Sequence, residues 1–221
     1  YLNQDGVVII DMRSEEDYAA GHVLNAVNLP VDDILISVPV EGSITSTKKF
    51  TKAMKKIGVS NDSLIIAYDS NKMAASRFLW TAFMYGHENV LVVDGGLNAI
   101  QAAGIEMTTD IPEITEGTFE SGEPSQNWMA KMEDVQAQVN MPDPNVILLD
   151  VRSQEEYYTN GKIPTSVMID YKTNFYSDGT FKNVQATRIN YLEEKIYPEN
   201  DIIIYCQTSM RAAPVFLELY E

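Results

Sequence analysis

The stretch "VVIIDMRSEEDYAAGHVLNAVNLP" (Val7 to Pro30) occurs a second time, altered, as "NVILLDVRSQEEYYTNGKIPTSVMID" (Asn145 to Asp170). Asp11, Arg13, Ser14 and Tyr18 return as Asp150, Arg152, Ser153 and Tyr157 at a constant offset of 139, and one extra residue then moves Gly21 onto Gly161. A second match pairs "SLIIAYDSNKMAASR" (Ser63 to Arg77) with "DIIIYCQTSMRAAP" (Asp201 to Pro214) and sets Asp69 opposite Cys206. A self-similarity of this length marks a duplicated domain. Only one copy carries a thiol.

Working outward from the repeat, each copy reads as α/β. Short β-branched runs bounded by polar residues predict buried parallel strands at Val7–Ile10, Leu64–Tyr68, Val90–Val93, Val146–Leu149 and Ile202–Tyr205. Helical patterns lie between them. "STKKFTKAMKKIGV" puts Phe50, Met54 and Ile57 on one face and stops at Gly58. "MAASRFLWTAFMYGH" is apolar almost all round and stops at Gly86, and "LNAIQAAG" closes the first copy at Gly104. Strand alternating with helix predicts a mostly parallel sheet in each copy, flanked by helices on both faces. Residues 105–128, rich in Glu, Thr, Gly, Ser and Pro, show no period. The expected division is therefore a first domain over 1–108, a linker over 109–128 and a second domain over 129–221, opened by the helix "MAKMEDVQAQV" (Met129 to Val139). That helix has no counterpart before Tyr1, and "NVLVVDGGLNAIQAAG" has none after Glu221, so the chain is expected to be clipped at both ends and the second sheet to be short of a strand.

Composition narrows the function. The chain holds 16 basic and 32 acidic residues, a net charge of −16. Nucleic-acid phosphates call for clustered Lys and Arg, so a nucleic-acid partner is not expected, nor is docking on anionic lipid. No apolar run is long enough for a membrane span. One cysteine forms no intrachain disulfide. The acid content is compatible with a cytoplasmic or an extracytoplasmic protein.

That cysteine stands where chemistry is expected. A strand ends at Tyr205, the loop Cys206–Arg211 follows, and a helix starts near Arg211. Ligands of open α/β sheets bind beyond the carboxyl ends of strands. A tight loop there, leading into a helix, turns backbone N–H groups inward as an anion nest. The N–H dipoles, the helix N-terminus and a guanidinium all favour the thiolate, which is the nucleophile. Arg211 and the loop amides would hold an anionic substrate or the charge on a leaving group. A free cysteine is also a common buried filler. Against that reading, Gln207, Thr208 and Ser209 are polar, and the twin copy accepts Asp69 at the same place.

The repeated "DxRS…EY…G" element, the run "YDSNKMAASR…GHENVLVVDGGLNA" and the loop "YCQTSMRA" resemble the tandem-domain rhodaneses, the thiosulfate and 3-mercaptopyruvate sulfurtransferases. The resemblance implies an inactive first domain, with Asp69 at the cysteine position, and an active second one. It implies that Cys206 takes a sulfane sulfur from a small anionic donor, holds it as a persulfide and passes it to a thiol or cyanide acceptor. The loop residues Gln207, Thr208, Ser209, Met210 and Arg211 would stabilise that persulfide, with Arg152 as a further anion-binding candidate. No metal or organic cofactor is implied. A non-enzymatic binding or sulfur-carrier module is the alternative. Cysteine phosphatases of the cell-cycle type use five residues between Cys and Arg, whereas Cys206 and Arg211 enclose four.

The chain departs from the family pattern in places. Ser209 stands where many members have glycine, Glu156 where the eukaryotic-type enzymes carry a donor-binding arginine, and Lys162 where histidine is common. Arg152 reads chiefly as a structural ion pair with an acid such as Glu155 or Glu156, because Arg13 repeats the motif in the copy without a thiol. The lysines at 48, 49, 52, 55 and 56 read as a solvated helix face. In the first copy Asp69, with Lys72 and Arg77 nearby, is expected to satisfy its own loop amides.

Overall fold

The computed structural model describes residues 4–220. The chain divides into two compact units, Tyr1–Trp128 and Met129–Glu221. The first unit begins with β1 (Val7–Asp11), α1 (Glu15–Ala20), β2 (His22–Val23), β3 (Val27–Asn28), β4 (Leu35–Ile36) and β5 (Ser43–Ile44). It continues through α2 (Thr47–Lys56), β6 (Leu64–Tyr68), α3 (Met73–Met84), β7 (Val90–Val92), α4 (Gly96–Ala102) and β8 (Met107–Thr108). Its main sheet has the order β3-β1-β6-β7, all parallel.

Parallel strands with β-branched residues on both faces need cover on both. Ile9 and Tyr68 pack with Ile100 of α4 on one face. Strand alternation turns Ile10, Ile65 and Ala67, all fully buried, to the other face. There α3 lies against β6 and β7. Phe50 and Met54 of α2 are fully buried, as their helical spacing predicts. Ser46 caps that helix by accepting from the Lys49 N–H at 3.4 Å.

The segment read as a linker, 109–128, clusters with the first unit. It runs as an extended strap: the Gly117 N–H donates to the Lys55 carbonyl at 2.9 Å, Phe119 to Val59 at 3.1 Å and Gly122 to Tyr85 at 2.9 Å. Phe119 is fully buried and meets Phe50 edge-on at 5.9 Å. A Cβ at position 117 would lie 2.0 Å from the Val59 carbonyl oxygen, so this close approach requires glycine. Trp128 packs on Phe83 at 6.0 Å, and its carbonyl accepts from the Trp80 indole at 2.7 Å.

The second unit comprises α5 (Met132–Asn140), β9 (Val146–Asp150), α6 (Gln154–Thr159), β10 (Val167–Met168), α7 (Val184–Glu193), β11 (Asp201–Tyr205) and α8 (Ala212–Tyr220). Its sheet, order β10-β9-β11, is parallel. It has three strands among the described residues, against four in the first unit. Helix α5 begins three residues later than the sequence pattern suggests, because the Asp134 carboxylate accepts from the Lys131 N–H at 2.7 Å and makes Lys131 the cap. Leu149, Val151, Tyr191, Ala212 and Val215 form a core on one face, with Ile202, Ile204 and Cys206 packed at its margin.

The duplication is exact enough to be read bond by bond. Asp11 pairs in register with Tyr68, and Asp150 with Tyr205. Tyr18 donates its hydroxyl to the Ala26 carbonyl at 2.8 Å, and Tyr157 to Ser166 at 2.9 Å.

Candidate active site

The register of β9 and β11 brings Asp150 beside Tyr205, so the turn after β9 and the loop after β11 meet at one end of the sheet. Cys206 is half-buried and packs against the margin of the core. Gln207 and Ser209 are exposed, while Thr208, Met210 and Arg211 are partly covered. Ser209 adopts φ 62°, the left-handed conformation that favours glycine. Lys72, its equivalent in the first unit, has φ 68°. The Ala213 N–H donates to the Ser209 carbonyl at 3.1 Å, and Ser76 to Lys72 at 2.9 Å. Both loops therefore make the same turn.

The first unit displays what that turn can hold. One Asp69 oxygen accepts from the Asn71 N–H at 2.9 Å and from the Lys72 N–H. The other accepts from Ala74 at 2.6 Å and Ala75 at 3.1 Å. Burial pushes the Asp69 carboxyl up, and these N–H groups pull against it. The Lys72 ammonium is drawn away to Asp94 at 3.0 Å, and Arg77 donates to the Gly42 carbonyl at 2.6 Å. Asp69 thus fills the nest itself, as its sequence context predicts, and the two nearby cations point elsewhere. A Cβ at Gly96 would lie 2.5 Å from the Asp69 carbonyl oxygen, so glycine lets α4 close over this loop. The residues equivalent to the four donors are Thr208, Ser209, Arg211 and Ala212.

Arg152 is committed to structure. Its Nε donates to both Asp150 oxygens at 2.9 and 3.1 Å, and its Nη2 donates to Asp150 at 2.6 Å and to the Gly161 carbonyl at 2.8 Å. Arg13 makes the same bonds to Asp11 and Gly21. The partner acid is thus Asp150, not Glu155 or Glu156, and a donor-binding Arg152 would have to break this fork. Burial works against the Asp150 charge, yet the bonds from Arg152 and Tyr205 outweigh it and hold the carboxyl below its usual range.

Glu156 belongs to the loop instead. Arg211 donates from Nη1 to Glu156 Oε2 at 2.6 Å and from Nη2 to Oε1 at 2.9 Å, a bidentate pair. Glu156 Oε2 also accepts from the Ser153 N–H at 3.1 Å and hydroxyl at 3.0 Å, which fixes the start of α6. The Arg211 bond pushes the Glu156 carboxyl down to about 2. The Arg211 guanidinium is held charged by Glu156 and, more weakly, by Cys206. In the sequence pattern Glu156 stands out only as a departure from the family or as a partner of Arg152. One signal was present: both members of the pair change together in the first copy, to Asp17 and Ala74.

Lys162 and His22 do matching structural work. Lys162 Nζ bonds the Tyr157 hydroxyl at 2.7 Å and lies 4.2 Å from the ring centre. The His22 ring stacks on Tyr18 at 3.7 Å.

A family model described as "Rhodanese-like domain" matches residues 1–103 and again residues 132–220. A protein of Saccharopolyspora erythraea named "Putative thiosulfate sulfurtransferase" is 26% identical over 237 residues, covering 100% of this chain and 83% of its own. The sulfur carrier protein TtuD of Thermus thermophilus is 28% identical over 192 residues, covering 79% of this chain and 67% of its own. Among solved structures, the 3-mercaptopyruvate sulfotransferase SseA of Escherichia coli superposes with a TM-score of 0.86 at 23% identity, over 99% of this chain and 89% of its own. The anaerobic ergothioneine biosynthesis enzyme of Chlorobium limicola, solved with trimethyl histidine, gives 0.85 at 16% identity over 99% of this chain. This chain spans 59% of that structure's length.

Proposed function

The chain belongs to the rhodanese-like family, and from that premise we propose that it is a sulfurtransferase whose Cys206 carries the transferred sulfur. The Cys206 thiolate attacks the outer sulfur of a small anionic donor. With thiosulfate the S–S bond breaks, its electron pair leaves on sulfite, and Cys206 is left as a persulfide anion. With 3-mercaptopyruvate the C–S bond breaks, and the thiol proton ends on the methyl carbon of pyruvate. A thiol or cyanide then attacks the outer persulfide sulfur and regenerates the thiolate.

One observation carries this reading. The twin loop already holds an anion, the Asp69 carboxylate, on four backbone N–H groups. The loop of Cys206 repeats that turn through Ser209. Amides of Thr208, Ser209, Arg211 and Ala212 aimed at the sulfur would stabilise thiolate and persulfide alike, as a fixed set of dipoles that needs no reorganisation. Gln207 and Met210 would border the approach. Donor-holding falls to the loop amides, with Arg211 held beside them on Glu156 and Arg152 shaping the turn beneath them. The names of the S. erythraea and E. coli proteins, a thiosulfate sulfurtransferase and a 3-mercaptopyruvate sulfotransferase, point to the same chemistry.

The test is intact-mass spectrometry after incubation with thiosulfate and, separately, with 3-mercaptopyruvate. A gain of one sulfur that cyanide removes, and that Cys206→Ser lacks, is expected. Labelling without catalytic turnover would instead make the protein a sulfur carrier. No adduct from either donor would overturn the reading.

A further inference from the structure

Two ion pairs border the loop of Cys206. Asp150 is neutralised by Arg152 at 2.6 Å. Arg211, the cation of the loop itself, is neutralised by Glu156 through both terminal nitrogens. Lys162 lies over the Tyr157 ring, bonded to its hydroxyl. With the thiolate formed, these two ion pairs and the thiolate sum to −1 and the Lys162 ammonium adds +1, within a chain of −16. The first unit lacks the pair: there Ala74 replaces the arginine, and the Asp17 carboxylate accepts from the Ser14 hydroxyl at its own helix start, 2.9 Å away.

We propose that Glu156 is the specificity-determining residue of the Cys206 site: by occupying the Arg211 fork it selects against dianionic sulfur donors and for donors of single negative charge. The inference rests on the sulfurtransferase reading and adds the donor class to it. Thiosulfate, with two charges, meets a thiolate whose neighbouring cation is already spent. A 2-oxo-acid thiol such as 3-mercaptopyruvate carries one charge and is repelled half as much.

Coulomb energy is linear in the ligand's charge. Removing the Glu156 charge therefore raises the rate constant for a dianion by the square of the factor it gives a monoanion. Glu156→Gln keeps an acceptor for Ser153, so α6 retains its start, while Arg211 is left with an unbalanced charge. Glu156→Asp keeps the charge and is the conservative partner.

The experiment measures kcat/KM for thiosulfate and for 3-mercaptopyruvate in the wild type and both variants, at low and high salt. In Glu156→Gln a gain of about threefold for 3-mercaptopyruvate should be accompanied by about tenfold for thiosulfate. The excess should shrink as salt screens the site, and Glu156→Asp should keep the wild-type ratio. Equal changes for both donors, or a fall for both, would give Glu156 a purely structural role and overturn the proposal while leaving the sulfurtransferase reading intact. Absence of a Cys206 persulfide from either donor, in wild type and Glu156→Gln alike, would overturn both.

Discussion

The loop after β6 and the loop after β11 make one turn and enclose different things. In the first, the Asp69 carboxylate lies within its own N–H groups, 3% exposed, and α4 closes over it. In the second, the same turn carries a half-buried thiol and ends on Arg211 where the first has Ala74. A nest filled by its own carboxylate has no donors left for an outside anion. A nest around a thiol keeps them. Duplication has thus preserved a backbone, and in the proposed reading a few side chains make one loop scaffold and the other site.

The hardest test of this contrast is to remove each loop's central group. Cys206→Ser is expected to abolish persulfide formation. Asp69→Ala should leave sulfur transfer per folded molecule unchanged but cost about 2–3 kcal/mol, because buried N–H groups lose a charged acceptor. Thiol-reactive labelling with urea denaturation separates the two effects. Sulfur transfer lost from the folded Asp69→Ala protein would end the scaffold reading of the first unit.

Arg211→Ala makes the second loop resemble the first at that position. It should lower kcat/KM for thiosulfate about tenfold, because the Glu156 charge is left unbalanced beside the thiolate. A change under twofold would show that the backbone amides suffice.

Arg13 and Arg152 probe what the copies share. Each replaced by alanine should cost about 1.5–3 kcal/mol, since each loses charged hydrogen bonds to a buried aspartate. Urea midpoints should shift alike. If Arg152→Ala also loses sulfur transfer while folded, Arg152 holds the donor after all.

The Glu156–Arg211 pair exists in one copy only, so it gives that copy its own pH signature. The Glu156 value is depressed on folding, from 4.5 to about 2. A depressed acid contributes stability in full above its unfolded value and loses it as pH falls through the folded one. The stability gap between wild type and Glu156→Gln should therefore hold steady from pH 7 to 5 and close between about 4.5 and 2. Both side chains are partly exposed, so salt should narrow the gap throughout. A gap that closes near neutral pH would assign the effect elsewhere.

The smallest effect concerns the left-handed residues. Ser209→Gly should stabilise the second unit by about 0.5–1 kcal/mol, relieving a Cβ in that conformation. Lys72→Gly should destabilise the first, because it gives up the ion pair with Asp94. Thermal melts would register opposite signs. Equal signs would mean that the loops are strained differently.

Much of this was legible in residue patterns. The five strand runs lie within one residue of their observed ends, because β-branched runs buried on both faces leave the backbone little choice. The cysteine loop was legible from the repeat, since Asp69 and Cys206 fall at one offset. The strap at 109–128 was not. Its hydrogen bonds go to Lys55, Val59 and Tyr85, far away in the chain, and an isolated extended segment has no period to betray its partner. Glu156 as the partner of Arg211 was hidden for the same reason: 55 residues separate them, and only the β9–β11 register brings them together.

The sequence alone therefore determined the duplication, the α/β class and the position of the single thiol, all of which follow from local periodicity and from comparing one copy with the other. The tertiary structure alone decided which charges meet. Arg152 turned to Asp150 and Arg211 to Glu156 because ion pairs depend on distances across the sheet, which the order of residues along the chain does not specify.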